Sequence, residues 1–172
     1  MVPRHASRWL HLSGFLAAAG LFLAATGCDR TVKPGQLDQV APTFAVNDGI
    51  NAVDLTQLHG KVVVLSFWAT WCGPCIEEMP SLEKLQRDLP DVHVVGIASQ
   101  QDPADYRAWL LRHPITIFSV FDAQQKSNAL YGSFRFPETY VIDKSGMIRR
   151  KFIGPQNWAS PEIESYLKGL AG

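Results

Sequence analysis

Apolar positions along this chain fall into two kinds of run. Lys61 is followed by Val62-Val63-Val64-Leu65-Ser66-Phe67-Trp68, a continuous β-branched and aromatic stretch. Such a stretch predicts a strand buried on both faces, as in the middle of a parallel sheet. Met79, Leu82, Leu85 and Leu89 then recur at helical spacing, with Glu83, Lys84, Arg87 and Asp88 on the other side. They predict a helix that opens at Thr70-Trp71-Cys72-Gly73-Pro74-Cys75 and carries Pro80 inside it, where a donor is lost and a kink is expected.

The alternation continues. Val92–Ala98 is a second buried strand, and Asp102-Pro103 caps a helix through Trp109 to about Arg112. A shorter strand over Ile117–Phe121 precedes a helix from about Ala123 to Tyr131. Glu138–Asp143 and Met147–Ile153 flank a Lys144-Ser145-Gly146 turn, an antiparallel hairpin. Ser160-Pro161 opens a last helix ending near Gly169. With extended segments around Phe44 and Val53, the order predicts an α/β fold: a central mixed sheet flanked by helices.

The N-terminal end follows different rules. Arg4 and Arg8, with no acid nearby, precede an apolar run from Leu12 to Ala25 and then Ala25-Thr26-Gly27-Cys28. A positive start, a short apolar run and small residues describe an export signal. Extended back to Trp9, the same run approaches the roughly 20 residues of a spanning helix. Cys28 resembles the acylated cysteine of the bacterial lipobox, although Ala25 stands where a larger aliphatic residue is usual. Ordinary cleavage or an uncleaved anchor fits the same residues. The expected organisation is therefore a lipoprotein-type signal over 1–27, an acylated Cys28 and polar tether over 28–40, and one folded domain over 41–172.

Charge changes the picture only by exclusion. The chain has 172 residues with 16 basic and 16 acidic side chains. That balance argues against a nucleic-acid binder working through a broad basic surface. Three cysteines are too few for a disulfide-stapled miniprotein.

The candidate chemistry is Cys72-Gly73-Pro74-Cys75. Two cysteines three apart at a helix start lie within bonding range, and the dipole and free N–H groups there favour a thiolate on the first. Cys72, at the exposed end, is the expected nucleophile, and Cys75, one turn in, the resolving thiol. A zinc site needs four ligands, and His59, His93 and His113 are isolated. Ile76 excludes a CxxCH haem attachment. A structural disulfide closing so short a loop would restrict the unfolded chain little. Redox exchange is the reading these residues favour.

GKVVVLSFWATWCGPC resembles the thioredoxin-superfamily signature. The export signal, Ala41-Pro42-Thr43-Phe44 and Glu77-Glu78-Met79-Pro80 resemble the membrane-tethered thiol–disulfide oxidoreductases of the TlpA/ResA group. The resemblance implies a thioredoxin-like fold and a cis-proline loop facing the cysteines, which Pro137 matches. It also implies that Phe136 lines the substrate groove, where Arg135 replaces a common glycine. Trp71 matches the family's tryptophan beside the nucleophile, and Gly73-Pro74 resembles reducing thioredoxins.

Cytosolic thioredoxins carry a buried Asp where this chain has Ser66. Glu78 matches the group's acidic residue instead, and at helical spacing it lies about 60° from Cys75. It is the expected proton acceptor, with a raised pKa if buried. Glu77, about 160° away, is expected in solvent. Trp68, Trp109 and Trp158 are assigned to packing.

The implied function is reduction of disulfides in exported proteins, cytochrome c maturation among the options. Electrons would come from a membrane donor of the DsbD or CcdA type, with no metal or organic cofactor. The implied location is the periplasmic side of the cytoplasmic membrane, held by the lipid anchor. A second reading is a copper-handling chaperone for oxidase assembly on the same fold. Two thiolates suit a soft ion, but those proteins space their cysteines one residue further apart and use a distal histidine.

Overall fold

The computed structural model describes residues 36–100 and 102–172. Cys28, the signal over 1–27 and most of the expected tether lie outside the described residues. The order is β1 (Ala45–Asn47), β2 (Ala52–Asp54), a 3-10 turn over Leu55–Leu58, β3 (Val62–Trp68) and α1 (Gly73–Asp88). β4 (Val92–Ala98), α2 (Pro103–Arg112), β5 (Phe118–Phe121) and α3 (Lys126–Leu130) follow. The chain closes with β6 (Glu138–Ile142), β7 (Ile148–Ile153) and α4 (Pro161–Ala171). The mixed α/β sheet with helices against it is the expected thioredoxin-like architecture.

The main sheet runs β5-β4-β3-β6-β7, parallel across β5-β4-β3 and antiparallel across β3-β6-β7. β3 lies in the middle, and all seven of its residues are buried. Its side chains alternate between two cores. Val62, Val64 and Trp68 pack with Leu82 and Leu85 of α1, Trp109 of α2 and Leu167 of α4. Val63, Leu65 and Phe67 pack with Leu55, Tyr131 and Tyr140. Each large side chain so buried stabilises the fold by about 1.5–3 kcal/mol. The end of β3 is thereby held rigid at the point where the CxxC segment leaves it.

Gly96 of β4 has a packing reason. A Cβ there would come within 3.1 Å of Trp68 Nε1 and 3.2 Å of Ser119 Oγ. Those two groups are hydrogen-bonded to each other at 3.1 Å. Glycine leaves room for that buried bond.

Two expectations need correction. The helix expected over 123–131 is only Lys126–Leu130. Asp122 Oδ2 accepts from Ser127 N–H at 2.8 Å and from its hydroxyl, and Gln125 turns the chain in the left-handed region at φ 52. Local side-chain bonding replaces the missing turn. Folded structure also starts before Ala41. Asp38 N–H donates to Ile148 C=O at 2.8 Å, Ile148 N–H donates to Gln39 C=O at 2.9 Å, and Val40 bridges Met147. Gln36 Nε2 donates to Tyr131 C=O at 2.8 Å. Residues 36–40 are docked mainly by these hydrogen bonds, with Leu37 packed against the second core.

Candidate active site

Cys72 is the N-cap of α1, in extended conformation at φ −88 and ψ 96. Its Sγ accepts from Cys75 N–H at 3.2 Å, and its carbonyl accepts from Ile76 N–H at 3.2 Å. Pro74 fits the first turn because no intrahelical partner exists there for the N–H it lacks. Gly73 and Pro74 are exposed. Cys72 and Cys75 are joined in a disulfide, with Cα atoms 5.3 Å apart. Cys72 keeps 5% of its surface accessible and Cys75 none. The asymmetry has the expected direction but is smaller than a helix-end position predicts. Both sulfurs belong to the core beneath α1, and Phe136 packs against that core.

The segment between strand and helix is fixed from both sides. Gln100 Oε1 accepts from Thr70 N–H at 2.8 Å. Trp71 is exposed and its ring meets Phe136, centroids 5.9 Å apart. The Phe136–Pro137 peptide is cis, and Pro137 is buried. The CxxC segment and the proline loop, far apart in sequence, thus meet at the Trp71–Phe136 contact. Arg135 and Phe134 are exposed beside it.

Glu78 lies on the buried face of α1 with Cys75, Met79, Leu82 and Leu85. Its Oε2 accepts from Gln156 N–H at 3.0 Å and Trp158 Nε1–H at 3.2 Å. Oε1 has no hydrogen-bond partner among the described residues. Burial pushes this carboxyl up to about 7, and the two donors limit the rise. Near neutral pH the group can therefore hold or release a proton, and one oxygen is free to do it. Ser81 braces the arrangement, since its hydroxyl donates to Glu78 C=O at 2.7 Å and accepts from Trp158 N–H at 3.1 Å. Glu77 is exposed, as its helical angle predicts. Ser66 is buried, and its Oγ has no partner among the described residues.

Three features escaped the sequence reading. Trp158 packs in the core as expected, and its indole donor also holds Glu78. No spacing rule links residues 80 apart. Glu138, next to Pro137, is buried and pairs with Lys151 Nζ at 3.3 Å. The third is a cavity of about 450 Å³ beside the motif, lined by Trp71, Phe134, Phe136, Ser99 and Asn128 among others. Arg135 does not line it. A larger cavity, about 710 Å³, lies against β1, β2 and Phe118, and neither cavity is lined by a cysteine.

The Redoxin family model matches residues 36–168. The chain is 34% identical over 142 residues to the thiol-disulfide oxidoreductase ResA of Bacillus thuringiensis, covering 78% of this chain and 79% of the relative. It is 32% identical over 167 residues to the thiol:disulfide interchange protein DsbE of Allochromatium vinosum, covering 92% and 91%. A crystal structure from Chlorobium tepidum, described as a thiol:disulfide interchange protein DsbE, superposes with a TM-score of 0.71 at 27% identity. That match covers 77% of this chain and 96% of the other. A paired-cysteine helix start on this sheet, with such relatives, establishes a thiol–disulfide oxidoreductase that acts on disulfide-bearing proteins. The chain belongs to the Redoxin family, as a ResA/TlpA-like member of the thioredoxin superfamily.

Proposed function

We propose that this chain reduces disulfides in exported proteins at the outer face of the cytoplasmic membrane, cytochrome c maturation being one such task. One observation carries the reading. Cys72 and Cys75 are joined at the start of α1, the first with 5% of its surface accessible and the second sealed, and Glu78 on the same helix face keeps one carboxyl oxygen without a partner among the described residues.

The exchange follows from that order. The Cys72 thiolate attacks one sulfur of the substrate disulfide. A Cys72–substrate S–S bond forms, the substrate's own bond breaks, and one substrate thiolate leaves. Cys75 gives its proton to Glu78 and attacks Cys72 Sγ. The second substrate thiolate leaves, and Cys72–Cys75 becomes the disulfide. The enzyme dithiol is oxidised by two electrons and the substrate disulfide is reduced by two. The departing thiolates take protons from Glu78 and water. Trp71, Phe136 and the peptide before Pro137 form the surface on which the substrate chain lies.

A donor must re-reduce the pair, and the resemblance to the TlpA/ResA group supports a membrane carrier of the DsbD or CcdA type. The signal-like residues before Cys28 support export and a lipid anchor on that cysteine. Among the described residues no helix is long and apolar enough to cross a membrane.

Dithiol-dependent insulin reduction tests the activity. Cys72→Ser should abolish it, and Cys75→Ser should accumulate a mixed disulfide. A reduction potential near about −270 mV supports the direction assigned here, and one near about −120 mV reverses it.

A further inference from the structure

The cavity beside the CxxC segment is built for something with hydrogen-bond donors. Ser99 and Asn128 line it, and both are more than nine-tenths buried. Ser99 Oγ and Asn128 Oδ1 have no hydrogen-bond partner among the described residues. Asn128 Nδ2 donates to Ser133 C=O at 3.0 Å, so the amide's orientation is set and its free atom is an acceptor. A buried acceptor left unpaired is costly, and a donating ligand recovers that cost.

The carboxylates and aromatic rings of the lining have the same preference, and Gln100 and Gln125 complete it. Asp102 and Asp105 stand on it, both exposed at the start of α2. Asp102 Oδ1 caps the helix by accepting from Ala104 N–H at 2.7 Å. Two carboxylates repel an anion. Trp71, Phe134 and Phe136 offer aromatic faces, on which a flat cation stacks favourably. Arginine, with five donors on a planar cation, meets all three demands, whereas lysine offers no plane to stack.

We propose that this cavity is a specificity pocket for an arginine side chain of the protein substrate, close in sequence to the cysteine under attack. The inference rests on the reductase reading above. Trp71 directly precedes Cys72, and Phe136 directly precedes Pro137, so a chain lying across both cysteine and proline loop passes the cavity mouth. The guanidinium stacks on the aromatic wall, donates inward to Ser99 and Asn128, and faces Asp102 and Asp105 at the rim.

The test uses disulfide-bridged peptides carrying arginine or glutamine at each of the two positions on either side of the attacked cysteine. The arginine peptide is expected to show a kcat/KM about tenfold higher at its best position, a ratio typical of charge-assisted hydrogen bonds at a partly exposed site. That ratio should fall toward one in the Asp102→Asn/Asp105→Asn double variant, in which asparagine still caps α2. It should also fall in wild type at high salt. The same peptides with serine for cysteine are then bound to the oxidised protein, followed by the Trp71 indole resonance. Equal turnover and equal binding of both peptide series overturn the pocket while leaving the reductase reading intact. An arginine preference in binding without turnover of any peptide sinks the reductase reading and keeps the pocket.

Discussion

Trp158 holds Glu78 from across the fold, its indole N–H 3.2 Å from Oε2 and 80 residues away in sequence. The tryptophan is fully buried against Phe152, with ring centroids 5.1 Å apart. A rigid donor thus fixes one carboxyl oxygen and leaves the other, Oε1, without a partner among the described residues. The loop after β7 and the active-site helix α1 are tied into one unit through this carboxylate and Ser81.

Glu78 should make the oxidised protein less stable as pH rises. Its ordinary pKa is 4.5 and its folded value about 7. Between those values the folded protein keeps a proton that the unfolded chain has released. The protection is complete below about 4.5, declines through the window, and is gone above about 7. Glu78→Gln removes the titration. In the oxidised form, where the cysteines do not titrate, its melting temperature should change less between pH 5 and 8 than that of wild type. At pH 8 the variant should be the more stable by up to about 3 kcal/mol. Parallel curves for the two proteins would show that the carboxyl is not perturbed by burial.

Trp158→Phe should separate positioning from packing. Phenylalanine keeps an aromatic ring against Phe152 but loses the donor to Glu78. The smaller side chain and lost bond should cost about 1–3 kcal/mol of stability. A purely structural residue would do no more. Here the donor favours the ionised carboxylate, so its loss should also move the pH midpoint of mixed-disulfide resolution upward. Stopped-flow measurement of that step across pH 5–9 reads the shift. A lower melting temperature with an unmoved midpoint returns Trp158 to a packing role.

Much of this fold was legible because its signals are local. The Val62–Trp68 run, the helical spacing from Met79 to Leu89 and the Lys144-Ser145-Gly146 turn each act within a few residues. The structure places β3, α1 and the β6–β7 hairpin where those patterns put them. Cys72, Cys75 and Pro137 were legible through motif resemblance. The missing parts depend on distant partners. Trp158 reaches Glu78 only after α4 and α1 pack on the same sheet face, and Ser99 and Asn128 both line the cavity although α2 and β5 separate them in the chain. The segment before Ala41 carries no apolar period, so its docking through backbone bonds to Ile148, the Gln36 amide and the single Leu37 contact left no pattern to read.

Gly96→Ala should loosen the strand end that carries the motif. The added methyl would sit 3.1 Å from Trp68 Nε1 and 3.2 Å from Ser119 Oγ, both buried. One of them must give by a few tenths of an ångström, which strains their hydrogen bond. Overpacking with strain at a buried polar pair should cost about 1–3 kcal/mol. Chemical denaturation gives the value, and the Trp68 indole proton should lose protection from exchange. Wild-type stability with an unchanged indole resonance would mean the sheet absorbs the methyl without disturbing Trp68.

Where the folded domain begins can be settled by two truncations. A chain starting at Gln36 keeps the Asp38–Ile148 and Gln39–Ile148 backbone bonds and the Gln36 amide on Tyr131 C=O. A chain starting at Ala41 loses all three, together with the Leu37 side chain that packs against the second core. Net worth near 1 kcal/mol per bond, added to the partial burial of Leu37, predicts that the shorter chain is less stable by at least about 2–3 kcal/mol. The loss should also expose Tyr140, whose hydroxyl donates to Tyr131 C=O at 2.6 Å and lies 3.3 Å from Gln36 Oε1. Tyrosine fluorescence and thermal melting of the two chains under one condition read both effects. Equal melting temperatures would put the boundary back at Ala41 and make residues 36–40 part of the tether, since hydrogen bonds that carry no stability define no domain edge.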